Sequence, residues 1–229
     1  MTDGALTAPP SSNPADRITF RPTDRLRLGV LVSGQGTNLQ AILNAEVAGQ
    51  LPATVVAVAC NHDNVPALDR SRAVGVPTEV FPHAAYGKRA LRDAAITAFL
   101  LKHRVELVIL AGYDRFLAPI VLDTFLNRMI NVHPSLLPAF AGTLNAQAEA
   151  LQHGVKVTGC TVFFVNDIPD GGPIILQAAV AVLEDDSVAT LRARILVEEH
   201  RILPEAIRLI AAGRVLIDGR HCRILPDHR

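Results

Sequence analysis

Asn131 and His133, two residues apart, are the side chains of this sequence that are best suited to do chemistry. They lie near the end of a short apolar run, and alternate residues of a strand point to the same face. An imidazole moves protons near neutral pH, and an amide can donate a hydrogen bond to a developing oxyanion. A lone histidine would more often be structural, but the Asn-x-His-Pro context, with Pro138 stiffening the segment that follows, favours a catalytic interpretation.

A second polar segment, Asp167-Ile168-Pro169-Asp170-Gly171-Gly172, separates two apolar runs. Acids and glycines of this kind also form ordinary surface turns, so a turn without chemistry explains the segment equally well. The functional interpretation requires Asp170 to approach His133, where a carboxylate would orient the imidazole.

The glycine-bearing turn Ser33-Gly34-Gln35-Gly36-Thr37-Asn38 follows an apolar run and opens a helical pattern. Glycines let the backbone approach a ligand, and the N-terminus of a helix offers free N–H groups to an anion, phosphate above all. The turn is neither a Walker loop nor a complete GxGxxG motif, because Leu39 stands where the third glycine belongs. A tight turn without a ligand remains the alternative.

Neither metal chemistry nor a disulfide framework is indicated. The three cysteines, Cys60, Cys160 and Cys222, are widely spaced and contain no CxxC pair. We expect Cys60 and Cys160, which border apolar runs, to be buried reduced thiols, and we expect a cytoplasmic location. Glu198-Glu199-His200 lacks the spacing of a zinc site, and from the sequence alone it is typical of a solvated acidic helix face.

The composition argues against nucleic-acid and membrane partners. The 229 residues contain 22 Lys and Arg against 22 Asp and Glu, 4% aromatic residues and no Trp. A nucleic-acid binder usually carries a basic excess or a stacking platform. No apolar stretch approaches the roughly 20 residues that span a bilayer. Residues 1–24, rich in Pro, Ser and Ala, are predicted to be a disordered leader before a single domain at residues 25–229.

Strand-like and helical runs alternate in the first half of that domain. Apolar runs at residues 26–32, 54–59, 77–81, 106–111 and 128–133 alternate with helical patterns at residues 37–48, 67–74, 88–103 and 119–125. Because these strand runs are continuously apolar, we expect parallel strands covered on both faces.

The strict alternation of strand-like and helical runs ends after residue 150. Two strand-like runs, residues 156–165 and 173–183, precede a long helix at residues 187–212 that is interrupted or bent near Pro204. Residues 214–217 and 222–225 suit a terminal hairpin. The predicted class is α/β: a Rossmann-like, open, mostly parallel sheet with helices on both faces and antiparallel strands added in the C-terminal half.

Four segments in order, LVSGQGTNLQAI, NVHPSLLPAF, VKVTGCTV and DGGPIILQ, closely resemble the folate-dependent phosphoribosylglycinamide formyltransferases, over residues 26–217. The resemblance implies the formyltransferase fold, with a nucleotide- and phosphate-binding half at residues 25–125 and a catalytic and folate-binding half at residues 126–229. It also implies an enzyme of purine biosynthesis that transfers the formyl group of 10-formyltetrahydrofolate to the amine of glycinamide ribonucleotide. No metal or covalent intermediate is needed.

The resemblance assigns roles to individual residues. His133 is the catalytic proton carrier, Asn131 stabilises the oxygen of the tetrahedral intermediate, and Asp170 acts on His133. The ribonucleotide is held by four residues: Gly36, Thr37, Asn38 and Glu199. The folate is held by Lys88, Arg115, Phe116, Leu117 and Asn131, and by the loop Asn166, Asp167, Ile168, Pro169 and Asp170.

Three positions depart from the family pattern. Asp114 stands where Met is usual, which places a charge beside the pterin region, Phe163 stands where His is usual, and Leu196 stands where a polar residue is common. These departures leave open a related formyltransferase acting on another small amine, or a non-catalytic paralogue. A formyl hydrolase would need an additional regulatory domain that the leader is too short to supply. The sequence is compatible with a monomer or a homodimer.

Overall fold

The computed structural model describes residues 17–227, which form one mixed sheet with helices on both faces. The strands are β1 Arg17–Thr19, β2 Leu26–Val32, β3 Ala53–Cys60, β4 Thr78–Val80, β5 Leu107–Leu110, β6 Met129–His133, β7 Val157–Phe164, β8 Ile174–Ala181, β9 Val215–Asp218 and β10 His221–Ile224. The helices are α1 Thr37–Val47, α2 Pro66–Ala73, α3 His83–Tyr86, α4 Arg89–Lys102, α5 Pro119–Thr124, α6 Ala146–Gln152 and α7 Val188–Ala211.

The order of strands across the sheet is β1-β9-β10-β8-β7-β6-β5-β2-β3-β4. The run from β6 to β4 is parallel throughout, whereas β6 pairs with β7, and β7 with β8, in antiparallel fashion. The predicted fold class is therefore confirmed. The change of direction falls at β6, the strand that carries Asn131 and His133.

Each face of the parallel half carries its own apolar core. On β2, Val30 packs into a core that α1, α2 and α7 share, while Leu31 packs into a second core with α4 and α5. Since both faces are covered, the strand is apolar at consecutive positions rather than at alternate ones. Gly29 lets α4 approach the sheet, because a Cβ there would lie 2.7 Å from Cδ2 of Leu100.

The C-terminal elements follow the prediction in most respects. Ser187 caps α7, and its side chain accepts a hydrogen bond from the Thr190 N–H in a capping box. The helix is continuous through Pro204 rather than interrupted there. The predicted terminal hairpin is confirmed by the antiparallel pairing of β9 with β10.

The sheet begins earlier than the sequence indicates. β1 pairs with β9, the Phe20 ring stacks on Phe164 at 5.6 Å, and the Thr23 N–H donates to the Ala211 carbonyl at 2.8 Å. The assignment of residues 17–24 to the leader is therefore wrong, because their order comes from partners about 150 to 200 positions away along the chain. The rest of the predicted leader, residues 1–16, lies outside the described residues.

Candidate active site

His133 ends β6 and is buried, with 5% of its surface exposed. Its Nε2 lies 2.9 Å from the carbonyl oxygen of Phe140, and its Nδ1 lies 3.5 Å from Oδ2 of Asp170. A carbonyl oxygen only accepts hydrogen bonds, so Nε2 carries a proton in this arrangement. Nδ1 is then the nitrogen that faces the carboxylate, and a proton taken up there would be held by Asp170.

The loop before β8 brings Asp170 to this position. Asp170 has a left-handed backbone with φ of 50°, and its Oδ2 accepts a hydrogen bond from the Gly142 N–H at 2.7 Å. Gly172 is needed for the return to the sheet, because a Cβ there would lie 1.7 Å from the Phe164 carbonyl oxygen. The turn thus approaches His133, as the catalytic interpretation requires.

The antiparallel pairing of β6 with β7 defines the face on which the catalytic candidates lie. Asn131 is opposite Phe163, and His133 is opposite Thr161. Alternate residues of a strand share a face, so Asn131 and His133 of β6 lie on the same face, as predicted, and their opposed residues Phe163 and Thr161 lie on it too. Phe163 is buried at 2% exposure, so an aromatic ring rather than a polar group borders the half-buried Asn131 amide.

Two polar residues that the sequence analysis did not single out hold the segment after His133. Thr161 Oγ1 donates to the Ser135 carbonyl at 2.7 Å and accepts from the Leu137 N–H at 3.0 Å. Gln177 Nε2 donates to the Leu137 carbonyl at 3.0 Å. The signal was present in the sequence, since Thr161 is a polar residue between the apolar neighbours Cys160 and Val162.

The glycine-bearing turn has the geometry of an anion site. Gly36 precedes α1 in the left-handed region, with φ of 67°, and no side chain caps the helix there. A Cβ at Gly36 would lie 2.7 Å from Cβ of Ala67, whose N–H donates to the Gly34 carbonyl at 3.1 Å. The turn is therefore clamped against α2, with the first N–H groups of α1 available to an anion.

Glu199 is buried, in contrast to the solvated acidic face that its local sequence indicates. It is 5% exposed, and its Oε2 accepts a hydrogen bond from Nδ2 of Asn38 at 2.7 Å. Burial raises the pKa of Glu199 to about 7, against the opposing effects of the Asn38 hydrogen bond and of Arg192. Two of the residues assigned to the ribonucleotide are thus in direct contact.

The residues assigned to the folate are mostly exposed. Phe116 is 64% exposed and Ile168 is 54% exposed. Leu117 packs on the second core, and Lys88 is exposed at the start of α4. Within residues 17–227, no hydrogen bond or ion pair joins the Lys88 side chain to the other assigned folate residues.

Asp114, the charged residue that departs from the family pattern, has partners within the protein. Its carboxylate accepts a hydrogen bond from Nδ2 of Asn61 at 2.6 Å and lies 2.8 Å from Nε2 of His62. Burial by itself would raise the pKa of Asp114, but the hydrogen bonds from His62, Asn61 and Ser33 outweigh it and lower that pKa.

The prediction of buried free thiols at Cys60 and Cys160 is confirmed. Cys60 and Cys160 are free and buried, while Cys222 is half-buried, and burial raises the pKa of Cys160 to about 12. Among residues 17–227, no group of three His, Cys, Asp or Glu side chains is placed to hold a metal ion. In the same part of the chain, no helix combines the length and apolarity that crossing a membrane requires.

Comparison with known proteins gives two curated relatives that differ greatly in length. The trifunctional purine biosynthetic protein adenosine-3 of Bos taurus is 42% identical over 205 residues, which cover 89% of this chain. The chain spans 20% of the length of that relative. The phosphoribosylglycinamide formyltransferase of Haemophilus influenzae is 38% identical over 189 residues, which cover 82% of this chain and 89% of the relative.

The fold has a solved counterpart. The crystal structure of glycinamide ribonucleotide transformylase 1 from Symbiobacterium toebii superposes with a TM-score of 0.87 at 54% identity, covering 89% of this chain and 95% of that one. Residues 26–207 match the family described as "Formyl transferase". This match spans β2 to most of α7 and includes the turn at Gly36 and the strand of His133, so the chain belongs to the formyl transferase family.

Proposed function

We propose that this protein transfers the formyl group of 10-formyltetrahydrofolate to the amine of glycinamide ribonucleotide in purine biosynthesis. The observation that carries the proposal is the position of Asp170 beside His133, on the strand that also presents Asn131. Relatives named for this reaction and for purine biosynthesis support the choice of substrates.

The chemistry requires one new bond, one broken bond and one net proton transfer. The substrate amine attacks the formyl carbon, and the formyl oxygen becomes an oxyanion to which the Asn131 amide donates a hydrogen bond. The bond between that carbon and N10 of the folate then breaks. The proton that the amine loses passes through His133, whose charged form Asp170 stabilises, to the leaving nitrogen. The products are N-formylglycinamide ribonucleotide and tetrahydrofolate.

The ribonucleotide lies along α1 in this proposal. Its phosphate accepts hydrogen bonds from the turn at Gly36, Thr37 and Asn38, where the positive end of the helix dipole assists. Glu199 contacts the glycinamide portion. Because burial brings the pKa of Glu199 to about 7, this carboxyl group can accept or release a proton near neutral pH.

In this proposal the folate and the ribonucleotide lie on opposite sides of the catalytic residues. Arg115, Phe116, Leu117 and the loop at residues 166–170 contact the pterin, and the basic side chain of Lys88 meets the folate. The exposed ring of Phe116 and the exposed side chain of Ile168 support this placement, because a flat aromatic ligand would cover them. We also propose a cytoplasmic location and a monomer or homodimer without a nucleic-acid or membrane partner.

The test is a turnover assay with purified protein, glycinamide ribonucleotide and 10-formyl-5,8-dideazafolate, followed by the absorbance of the deformylated product. We expect product only when the ribonucleotide is present. Release of formate without any amine would indicate a hydrolase. Turnover with another small amine but not with glycinamide ribonucleotide would overturn the acceptor, and no turnover with any amine would overturn the enzymatic role.

A further inference from the structure

Three loops meet in a closed ring of hydrogen bonds at the carboxyl ends of β2, β3 and β5. The Asp114 N–H donates to Oγ of Ser33 at 2.9 Å, Ser33 Oγ donates to Oδ1 of Asn61 at 2.6 Å, and Asn61 Nδ2 donates back to Oδ1 of Asp114 at 2.6 Å. Ligands of open α/β sheets bind beyond this edge. None of these residues has a role in the reaction described above.

The second oxygen of Asp114 extends the ring to a fourth residue. Oδ2 lies 2.8 Å from Nε2 of His62, and the His62 side chain is 42% exposed. The Arg115 guanidinium also lies near this carboxylate, with its Nε 3.6 Å from Oδ1. A carboxylate with these donors stays ionised over the physiological range, and it holds both the loop of His62 and the loop of Ser33.

Two residues of the ring lie next to the two proposed substrate sites in the sequence. Ser33 is the first residue of the turn that receives the phosphate, and Asp114 immediately precedes the folate segment Arg115, Phe116 and Leu117. Ser33 and Asn61 are buried, so their hydrogen bonds exchange poorly with water and hold the loops together.

We propose, on the basis of the proposed function, that Asp114 is a positioning residue that couples the ribonucleotide site to the folate site. Binding of either substrate fixes its own loop, and through Asp114 and Ser33 it fixes the loop of the other substrate in its binding conformation. By linkage, each substrate then raises the affinity for the other by the same factor.

The first test measures that factor directly. The dissociation constant of glycinamide ribonucleotide is determined by calorimetry with and without saturating 5,8-dideazafolate, which carries no formyl group. We expect the analogue to tighten ribonucleotide binding about fivefold or more in the wild-type chain, and to leave it unchanged in Asp114→Ala. Asp123→Ala, at an exposed position of α5, is the matched control and should behave like the wild type.

Asp114→Asn gives a readout that a purely structural role would not produce. Its amide oxygen can accept the hydrogen bond from Nδ2 of Asn61, and its amide nitrogen can donate to Nε2 of His62, so the ring closes without the charge. We therefore expect Asp114→Asn to keep the wild-type coupling factor that Asp114→Ala loses. A coupling factor of one in Asp114→Asn would contradict the role of the hydrogen-bonded ring.

The outcomes separate the two proposals. If the wild type binds both ligands with a coupling factor of one, or if Asp114→Ala keeps the wild-type factor, the coupling is wrong and the proposed function stands. If the wild type binds neither ligand, both proposals are wrong. Hydrogen exchange without ligands gives an independent check: Asp114→Ala should speed exchange in residues 33–38 and 61–66 together, and unchanged exchange in residues 33–38 would overturn the mechanical link.

Discussion

Oδ2 of Asp170 lies 3.5 Å from Nδ1 of His133 and accepts a hydrogen bond from the Gly142 N–H at 2.7 Å. One carboxylate oxygen, in the loop before β8, therefore contacts both the histidine of β6 and the loop that follows β6. The Phe140 carbonyl holds Nε2 and so fixes one edge of the imidazole, and a proton taken up at Nδ1 would fix the other edge on Asp170. A base held in this way keeps its orientation without help from the substrate.

We predict that His133→Ala lowers kcat by about 10²- to 10⁴-fold while ribonucleotide affinity stays within a factor of about two, because general acid–base catalysis contributes rates of that order. The measurement is steady-state kinetics combined with calorimetric binding of the ribonucleotide. His221→Ala, at an exposed position in β10, is the control and should keep full activity. Wild-type turnover in His133→Ala would remove the proton-carrying role.

Asp170 should act only through His133. Asp170→Asn keeps the side-chain shape and the acceptor for Gly142 but removes the charge beside Nδ1, so we expect kcat to fall about tenfold or more. In the double variant with His133→Ala, the loss should equal that of His133→Ala alone, because residues that act as a unit are not additive. Additive losses would show that Asp170 has a separate task.

Gly36→Ala should weaken ribonucleotide binding and destabilise the fold, because the new Cβ would meet Cα of Ala67 at 2.8 Å in a left-handed backbone. The left-handed conformation alone costs an alanine about 1–2 kcal/mol. The matched control is Gly34→Ala, where a Cβ has no neighbour within 4 Å. Urea unfolding and calorimetry should separate the two variants, and equal behaviour would contradict the tight turn.

The raised pKa of Glu199 makes the free energy of unfolding decrease as the pH rises. Burial raises the pKa of Glu199 from 4.5 to about 7, so between these values the folded protein holds a proton that the unfolded chain has released. The free energy of unfolding should therefore fall as pH rises from about 4.5 through about 7, by roughly 3 kcal/mol at most. Gln cannot titrate, so the free energy of unfolding of Glu199→Gln should change less over this range. Urea unfolding at several pH values measures it.

Glu79→Gln provides the control for this slope, because Glu79 is exposed on β4. It should follow the wild-type pH profile. If Glu199→Gln also follows that profile, the proton on Glu199 contributes nothing to the pH dependence of stability.

The parts of the fold and site that rest on local pattern were predictable from the sequence. Continuous apolar runs predicted the parallel strands, and the spacing of Asn131 and His133 predicted their shared face. Glu199 was also within reach, because it follows Leu191 and Ile195 at four-residue spacing on the buried stripe of α7. Its two charged or polar neighbours, Glu198 and His200, concealed that periodicity.

Other features depend on contacts that no local pattern encodes. The groups that orient His133 and Asp170 include the Phe140 carbonyl and the Gly142 N–H, which are backbone atoms and leave no residue type to recognise. The ring at Asp114 depends on three loops meeting at one edge of the sheet. The strand at Arg17–Thr19 depends on a partner near the opposite end of the chain.

The short strand β1 also affects the tendency of the protein to self-associate. Both outer strands of the sheet, β1 and β4, are three residues long, and β1 begins with Arg17, which faces Asp218 at 3.5 Å. Long unpaired edges are templates for strand addition from another chain, whereas short and charged ones are not. Removal of residues 17–20 would uncover the backbone of β9 and the face of Phe164, and so convert a protected border into a surface prone to aggregation.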